Sequence, residues 1–277
     1  SLDEVYYPPK EIQWYINTQK DQGVRANQSK IDPSRKDFTE IYKAYENVCE
    51  QSGLVDFGEL LLRCFETLEN KKEILDHYQS RFRHILVDEF QDTNEIQYQW
   101  IKLLSGNEAS TFVVGDDDQS IYGWRGATLD NLKKLPVDYP ELKVIKLEQN
   151  YRSTSAILKA ANNVIGPNPK LFPKTLWSDL GEGEPVRIAA CDNEDHEAER
   201  VIARIQSLRT TSAHKSFKDF AVLYRANHQA KVFEKAFRRA QIPYKVSGGQ
   251  SFFDRAEIRD LCAWLRLWVN NDDDPAF

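Results

Sequence analysis

Two adjacent carboxylates, Asp88 and Glu89, follow directly on the apolar run HILV at residues 84–87. If that run is a buried strand, the pair stands at the edge where parallel sheets present their ligands. One carboxylate there can hold a divalent cation such as Mg2+, directly or through water. Its neighbour can orient or deprotonate an attacking water. Acids after strands are also common on plain surfaces, so the pair alone does not separate an NTPase from a solvated loop.

A second group follows another apolar run. In VVGDDDQSIYGWRGA, residues 113–127, Gln119 can reach a phosphate from a strand tip, and Tyr122 and Trp124 flank Gly123 ahead of Arg125 and Gly126. Aromatics beside flexible glycines and an arginine suit stacking on nucleic-acid bases. The plain alternative is a loop whose rings pack into the core and whose acids face water. The third group is LEQNYRSTSAIL, residues 147–158, with Arg152 just ahead of a predicted helix. A guanidinium there can face the charge on a transferring phosphoryl group, and it can equally be structural.

Periodicity predicts the elements that position these groups. Residues 1–82 read as helical: in FTEIYKAYENVCEQ the apolar Phe38, Ile41, Tyr42, Tyr45, Val48 and Cys49 fall on one helix face. Gly53 ends that helix, and Asp56 caps the next. Short apolar runs at 84–87, 111–114 and 143–147, alternating with helices, then predict an α/β layer with a parallel sheet. A second α/β set begins near residue 149. Ser153 or Thr154 is expected to cap the helix SAILKAANNVI, and a loop rich in Pro and Gly runs from 166 to 185. The strand VRIAA, the helix EAERVIARIQSL, the strand FAVLYR and the helix AKVFEKAFRRAQ follow. The tail IRDLCAWLRLWV is helical, with Ile258, Leu261, Cys262, Leu265 and Val269 on one face.

In this order and spacing the three groups closely resemble the UvrD/Rep/PcrA family of superfamily-one DNA helicases. DEFQDTN matches that family's Walker B motif, GDDDQSIYGWRGA its third motif and QNYRST its fourth. LVDFGELLL, YRANHQ and SGGQSFFDRAEIRD extend the resemblance along the whole chain. It implies an α/β fold of RecA-like parallel-sheet motor lobes, of P-loop NTPase type, with helical insertions. Residues 1–82 would be a helical insertion of the first lobe and 83–148 the latter part of that lobe. Residues 149–247 would begin the second lobe, and 248–277 its own helical insertion.

The implied activity is an ATP-dependent 3′–5′ motor, using ATP and Mg2+, that moves on single-stranded DNA and unwinds duplex DNA in repair. Repair proteins would be among its partners. Carried over by position, Asp88 would hold Mg2+ and Glu89 would activate water. Gln119 would sense the γ-phosphate, Tyr151 would stack on adenine, and Arg152 would act as an arginine finger. Tyr122 and Trp124 would stack on DNA bases, with Arg125 and Asn227 as further DNA contacts. None of the twelve glycines is followed by lysine, so the phosphate-binding loop GxxxxGK[ST] is absent. It is expected upstream of Ser1, with the family's later motifs beyond Phe277, and this chain alone is expected to be inactive. Two alternatives stay open: the motor part of a helicase–nuclease subunit, and a non-catalytic DNA-binding module.

Composition narrows the classes. A net charge of −6 argues against binding nucleic acid by bulk positive charge, although residues 215–245 carry eight Lys/Arg against two acids. That tract is most often a solvated surface, and it can also follow phosphates. Cys49, Cys64, Cys191 and Cys262 lie far apart without metal-ligand spacing, which predicts buried free thiols in a reducing cytoplasm. No apolar run approaches the ~20 residues of a membrane span, and SLDEVYYPPK lacks a signal-peptide pattern. The chain contains no methionine, for which there is no physical account.

Overall fold

Helical periodicity governs the chain up to Arg81. The computed structural model describes residues 5–29, 36–211, 216–247 and 256–269. They fall into two compact units, 1–186 and 187–277. Residues 248–255 of the SGGQSFFDRAEIRD string, and most of the insertion expected over 248–277, lie outside the described residues.

In the first unit, α1 (Pro9–Asp21) starts with proline in its first turn, where no amide is needed. It buries Ile12, Tyr15 and Ile16 against Tyr42 of α2 (Lys36–Gln51), with Phe38, Ile41 and Tyr45 packed around them. Gly53 follows α2 with a φ of +63°, and Asp56 caps α3 (Phe57–Asn70) by accepting a 2.7 Å bond from the Glu59 amide. α4 (Lys72–Arg81) completes the helical stretch.

Beneath these helices lies an ionic cluster. Glu59, 4% exposed, meets Lys20 at 2.9 Å, Arg25 at 2.8 Å and Arg63 at 2.6 Å, and Lys20 also reaches Asp56 at 2.8 Å. Burial pushes the Glu59 carboxyl upward, but hydrogen bonds from Lys20, Arg63 and Arg25 overcome that and hold it below the ordinary range. The helices are thus tied together through buried charge as well as apolar contact.

The sheet follows. β1 (His84–Val87) and β2 (Ser110–Val113) pair in parallel, His84 opposite Ser110 and Val87 opposite Val113. α5 (Glu95–Ser105) connects them, its start fixed by a capping box between Asn94 and Gln97. α6 (Asp130–Asp138) and α5 supply Leu132, Leu135, Tyr98 and Ile101 to a second core around Phe90. α7 (Ser155–Ile165) completes the unit. Residues 149–186, which the resemblance assigns to the second lobe, pack within this first unit.

The second unit holds α8 (Glu194–Thr211), α9 (Ala230–Arg239) and α10 (Ala256–Val269). Ala198, Ile202 and Ile205 of α8 and Ala230 of α9 are buried with Ile242. Two cations of the basic tract turn onto α8 acids, Lys235 to Asp195 at 3.8 Å and Arg239 to Glu199 at 3.6 Å. These exposed pairs fit a solvated surface better than a track for phosphates.

Three expected strands are corrected. Residues 143–147, 186–190 and 220–225 form no β-ladder among the described residues, so the parallel sheet there has two strands. Their apolar composition encodes burial, whereas a strand exists only with a hydrogen-bonding neighbour. Leu147 at 80%, Ile188 at 99% and Leu223 at 91% exposure stand without cover. All four cysteines are free, but the expected burial is corrected: Cys64 and Cys262 are exposed, and Cys49 and Cys191 are only half-buried.

Candidate active site

Because β1 and β2 run side by side and parallel, the chain leaves both strands at the same edge, and Asp88, Glu89 and Gln119 lie in the two loops there. Asp88 is exposed, and its Oδ1 accepts a 2.9 Å bond from the Glu89 amide. Glu89 adopts a left-handed backbone with φ +50°, a conformation that costs a non-glycine residue on the order of 1–3 kcal/mol and persists where surroundings enforce it. The next turn, Phe90–Asp92, buries Phe90 and Gln91.

Gln91 is the residue that sequence reasoning missed. Its Nε2 donates to Glu89 Oε2 at 2.7 Å, and its Oε1 accepts the Asp116 amide at 2.9 Å. Asp116 Oδ2 in turn accepts Gln119 Nε2 at 2.8 Å. A hydrogen-bonded chain therefore runs from Glu89 through Gln91 and Asp116 to Gln119. Gly115 is required beside it, since a Cβ there would lie 2.9 Å from Gln91 Oε1. The only sequence signal was an amide set among carboxylates directly after a strand.

Asp92 adds a third carboxylate. Burial first, and the Glu89 charge second, push it above the ordinary range. Among the described residues its Oδ1 is buried without a hydrogen-bond partner. The Asp88 carboxylate suits a hydrated Mg2+, which binds through one or two carboxylates and keeps several of its waters, but Asp88, Glu89 and Asp92 do not draw together as a three-ligand cluster among the described residues.

Asp116, Asp117 and Asp118 also draw together, but lysines already neutralise them. Lys174 Nζ lies 2.7 Å from Asp116, 3.0 Å from Asp117 and 2.8 Å from Asp118, and Lys170 lies 2.8 Å from Asp118.

Tyr151 and Arg152 are exposed. Asn150 Oδ1 accepts the amides of Arg152 at 2.9 Å and Ser153 at 2.8 Å, which fixes the backbone that carries the guanidinium. Tyr151 donates to Gln149 at 2.9 Å, and Gln149 pairs in parallel with Trp177. The expected side-chain cap on α7 is corrected: Thr154 makes no capping bond. The carbonyls of Gly181 and Glu182 instead accept the Ser155 and Ala156 amides at 3.0 and 2.9 Å. Backbone acceptors from a distant loop do the work that a local hydroxyl was expected to do. Among the described residues no hydrogen bond or ion pair joins Tyr151 or Arg152 to Asp88, Glu89 or Gln119.

The aromatic loop follows Gln119 on a short tether. Trp124 is 59% exposed and Tyr122 half-buried, with ring centres 6.4 Å apart. The Arg125 guanidinium sits 4.5 Å from the Trp124 ring and 5.3 Å from that of Tyr122. Trp124 is therefore no core anchor. Gly126, with φ +85°, brings the loop against Asp21: a Cβ would meet Asp21 Oδ2 at 2.6 Å. Asp21 Oδ1 accepts Asn94 Nδ2 at 2.8 Å. Burial pushes the Asp21 carboxyl up to about 6 against the opposing effect of that bond. Asn227, exposed, opens the short turn Asn227–Gln229 in the second unit.

The family model for the UvrD/REP helicase N-terminal domain matches residues 1–140, and that for the UvrD-like helicase C-terminal domain matches residues 145–277. DNA helicase II of Escherichia coli (strain K12) is 48% identical over 279 residues, covering 100% of this chain and 38% of that protein. ATP-dependent DNA helicase Rep of the same organism is 48% identical over 253 residues, 91% of this chain and 37% of Rep. ATP-dependent DNA helicase PcrA of Leuconostoc citreum is 38% identical over 280 residues, again 100% of this chain and 37% of the relative. The chain spans less than two fifths of the length of each of these three relatives. Matched in order over both halves, it belongs to the UvrD/Rep helicase family.

Proposed function

We propose that this chain serves in an ATP-dependent DNA helicase that translocates 3′–5′ on single-stranded DNA and unwinds duplexes in DNA repair in the cytoplasm. The observation that carries the reading is the hydrogen-bonded chain from Glu89 through Gln91 and Asp116 to Gln119 across two parallel strand ends. Family membership supports it. ATP is the substrate, and bound Mg2+ would neutralise phosphate charge at the bond that breaks.

Asp88 holds the cation, and Glu89 takes the proton of the attacking water. Gln119 meets the γ-phosphate, so that its contact with Asp116 reports on the nucleotide. Tyr151 stacks on the adenine, and Arg152 is the arginine finger. Tyr122 and Trp124 stack on bases, Arg125 and Asn227 contact the strand, and the short tether to Gln119 lets nucleotide state alter the grip on DNA. The RecA-like lobes would supply the neighbours that residues 143–147, 186–190 and 220–225 require. Without a phosphate-binding loop to position the γ-phosphate, this chain alone is inactive.

Glu89→Gln in the full-length protein tests the reading. Turnover should fall at least ~100-fold, because an amide cannot accept the proton, while ATP binding by equilibrium titration stays near wild type. Undiminished DNA-stimulated phosphate release by this variant would overturn the assignment.

A further inference from the structure

The Pro- and Gly-rich stretch 166–185 reads as a passive loop, but the structure makes it a strap. Its Leu171 and Phe172 side chains pack against the core that contains Phe90 and Tyr98, and their amides donate to Asp117 Oδ2 at 2.9 and 3.3 Å. Farther along, Trp177 pairs with Gln149, Asp179 accepts Gln149 Nε2 at 3.0 Å, and the carbonyls of Gly181 and Glu182 seat the start of α7. One end of the strap therefore grips the loop that carries Gln119, and the other carries the segment with Tyr151 and Arg152.

We propose that Lys174 is a positioning residue for ATP hydrolysis, holding Asp116 so that Gln119 and, through Gln91, Glu89 are set together. This rests on the ATPase reading above. Lys174 Nζ lies 2.7 Å from Asp116 Oδ1, which leaves Oδ2 facing the Gln119 amide. Lys170 reaches Asp118 alone. Lys174 is thus the strap cation that touches Asp116 itself, and its side chain is only 15% exposed. Burial opposes its charge, but hydrogen bonds to Asp116, Asp118 and Asp117 outweigh that and raise its pKa. Lys174 therefore remains cationic at any working pH and acts as a permanent strut. If it is lost, Oδ1 of Asp116 keeps only the 2.9 Å bond from the Asp118 amide, and the acceptor of Gln119 is held less firmly.

The test compares Lys174→Met, Lys174→Arg and Lys170→Met with wild type and Glu89→Gln, all in the full-length protein. DNA-stimulated ATP hydrolysis, KM for ATP, affinity for a single-stranded oligonucleotide, and Tm are measured. Lys174→Met should lower kcat by about tenfold or more, since small misplacements at a phosphoryl-transfer site are costly. KM and DNA affinity should stay within about threefold, because the variant leaves the binding groups in place. Lys174→Arg should recover most of kcat, since a guanidinium also bridges carboxylates. Lys170→Met should lower Tm with kcat kept. The proposal is overturned if Lys174→Met keeps its kcat, or if Lys170→Met loses as much. Should Lys174→Met fail to fold, Lys174→Gln, which keeps a donor without the charge, is judged by the same criteria. Normal hydrolysis by Glu89→Gln would overturn the ATPase reading, whereas an inactive Glu89→Gln beside a fully active Lys174→Met would overturn only this proposal.

Discussion

Replacing Gln91 with leucine removes the middle of the hydrogen-bonded chain between the two candidate loops while nearly preserving volume. Two bonds are lost. The bond to the Glu89 carboxylate at 2.7 Å is charge-assisted, and the bond from the Asp116 amide at 2.9 Å is neutral. Such bonds contribute roughly 1.5–3 and 0.5–1.5 kcal/mol respectively. Glu89 is exposed and regains water, so the lower end applies to the first. The Asp116 amide is not so placed, because Gln91 is 1% exposed and leucine fills the same space. Leaving that donor unpaired makes its share about 1–3 kcal/mol in place of the second figure, and the apolar side chain returns part of it. Gln91→Leu should therefore cost about 2–4 kcal/mol, read by chemical denaturation of the full-length protein.

The functional consequence is larger. Glu89 has a left-handed backbone, and without Gln91 its carboxylate loses the 2.7 Å donor that orients it. A general base displaced by about 1 Å loses on the order of 100-fold in rate, so turnover should fall with ATP binding retained. Gly115→Ala provides an independent arm: its Cβ, 2.9 Å from Gln91 Oε1, pushes the amide aside without removing it. Both variants should show the same hydrolytic defect. A Gln91→Leu protein within ~0.5 kcal/mol of wild type and with unchanged turnover would refute the argument.

Three further outcomes follow from other parts of the structure. Asp21, with a carboxyl raised to about 6 by burial, contributes stability that is full below the ordinary value of 3.8 and lost as pH rises through about 6. Asp21→Asn should thus raise Tm at pH 8 and lose that advantage by pH 4; an equal gain at both would remove Asp21 as the cause. Glu59→Gln should destabilise by about 3–5 kcal/mol, since it leaves buried cations short of a partner. Lys43→Ala, which breaks the exposed pair with Glu40, should cost under about 1 kcal/mol, and equal costs in denaturant melts would contradict the burial argument. Trp124→Ala should weaken single-strand binding by about 1–3 kcal/mol with little sequence preference; a large drop in Tm with unchanged affinity would return the ring to a structural role.

Local chemistry was legible where it is local. The helix over 38–49, the Asp56 cap and the 84–87 strand with its terminal carboxylates follow from spacing within a turn or two, and the structure has them, although the strand expected to be buried leaves Leu86 75% exposed and Val48 falls outside the covered helix face. Three segments of equal apolar content failed as strands because pairing depends on neighbours that sequence windows do not contain. The cap on α7 failed for a related reason, since its acceptors come from residues 181 and 182. Asp116, Asp117 and Asp118 read as solvated acids, yet the Asp117 side chain is only 4% exposed, and lysines more than fifty positions away, at 170 and 174, meet the three acids. Nothing in the local pattern distinguishes a neutralised acid from a hydrated one.

The same long-range polar contacts join the two halves of the candidate site. The turn Phe90–Asp92 is three residues long and anchored near both ends, Gln91 to Asp116 and Asn94 to Asp21. Asn94 is also the cap of α5, so it cannot shift without disturbing the helix start. Asp21 in turn abuts Gly126, at the end of the loop that presents Trp124 and Arg125. A displacement at Glu89 is therefore shared between the Gln119 side, through Gln91, and the aromatic loop, through Asn94 and Asp21. Short hydrogen bonds hold or break, which suits a coupling between discrete states. On this argument α1 would take part in any such coupling, because its last residue, Asp21, bonds Asn94 and abuts Gly126.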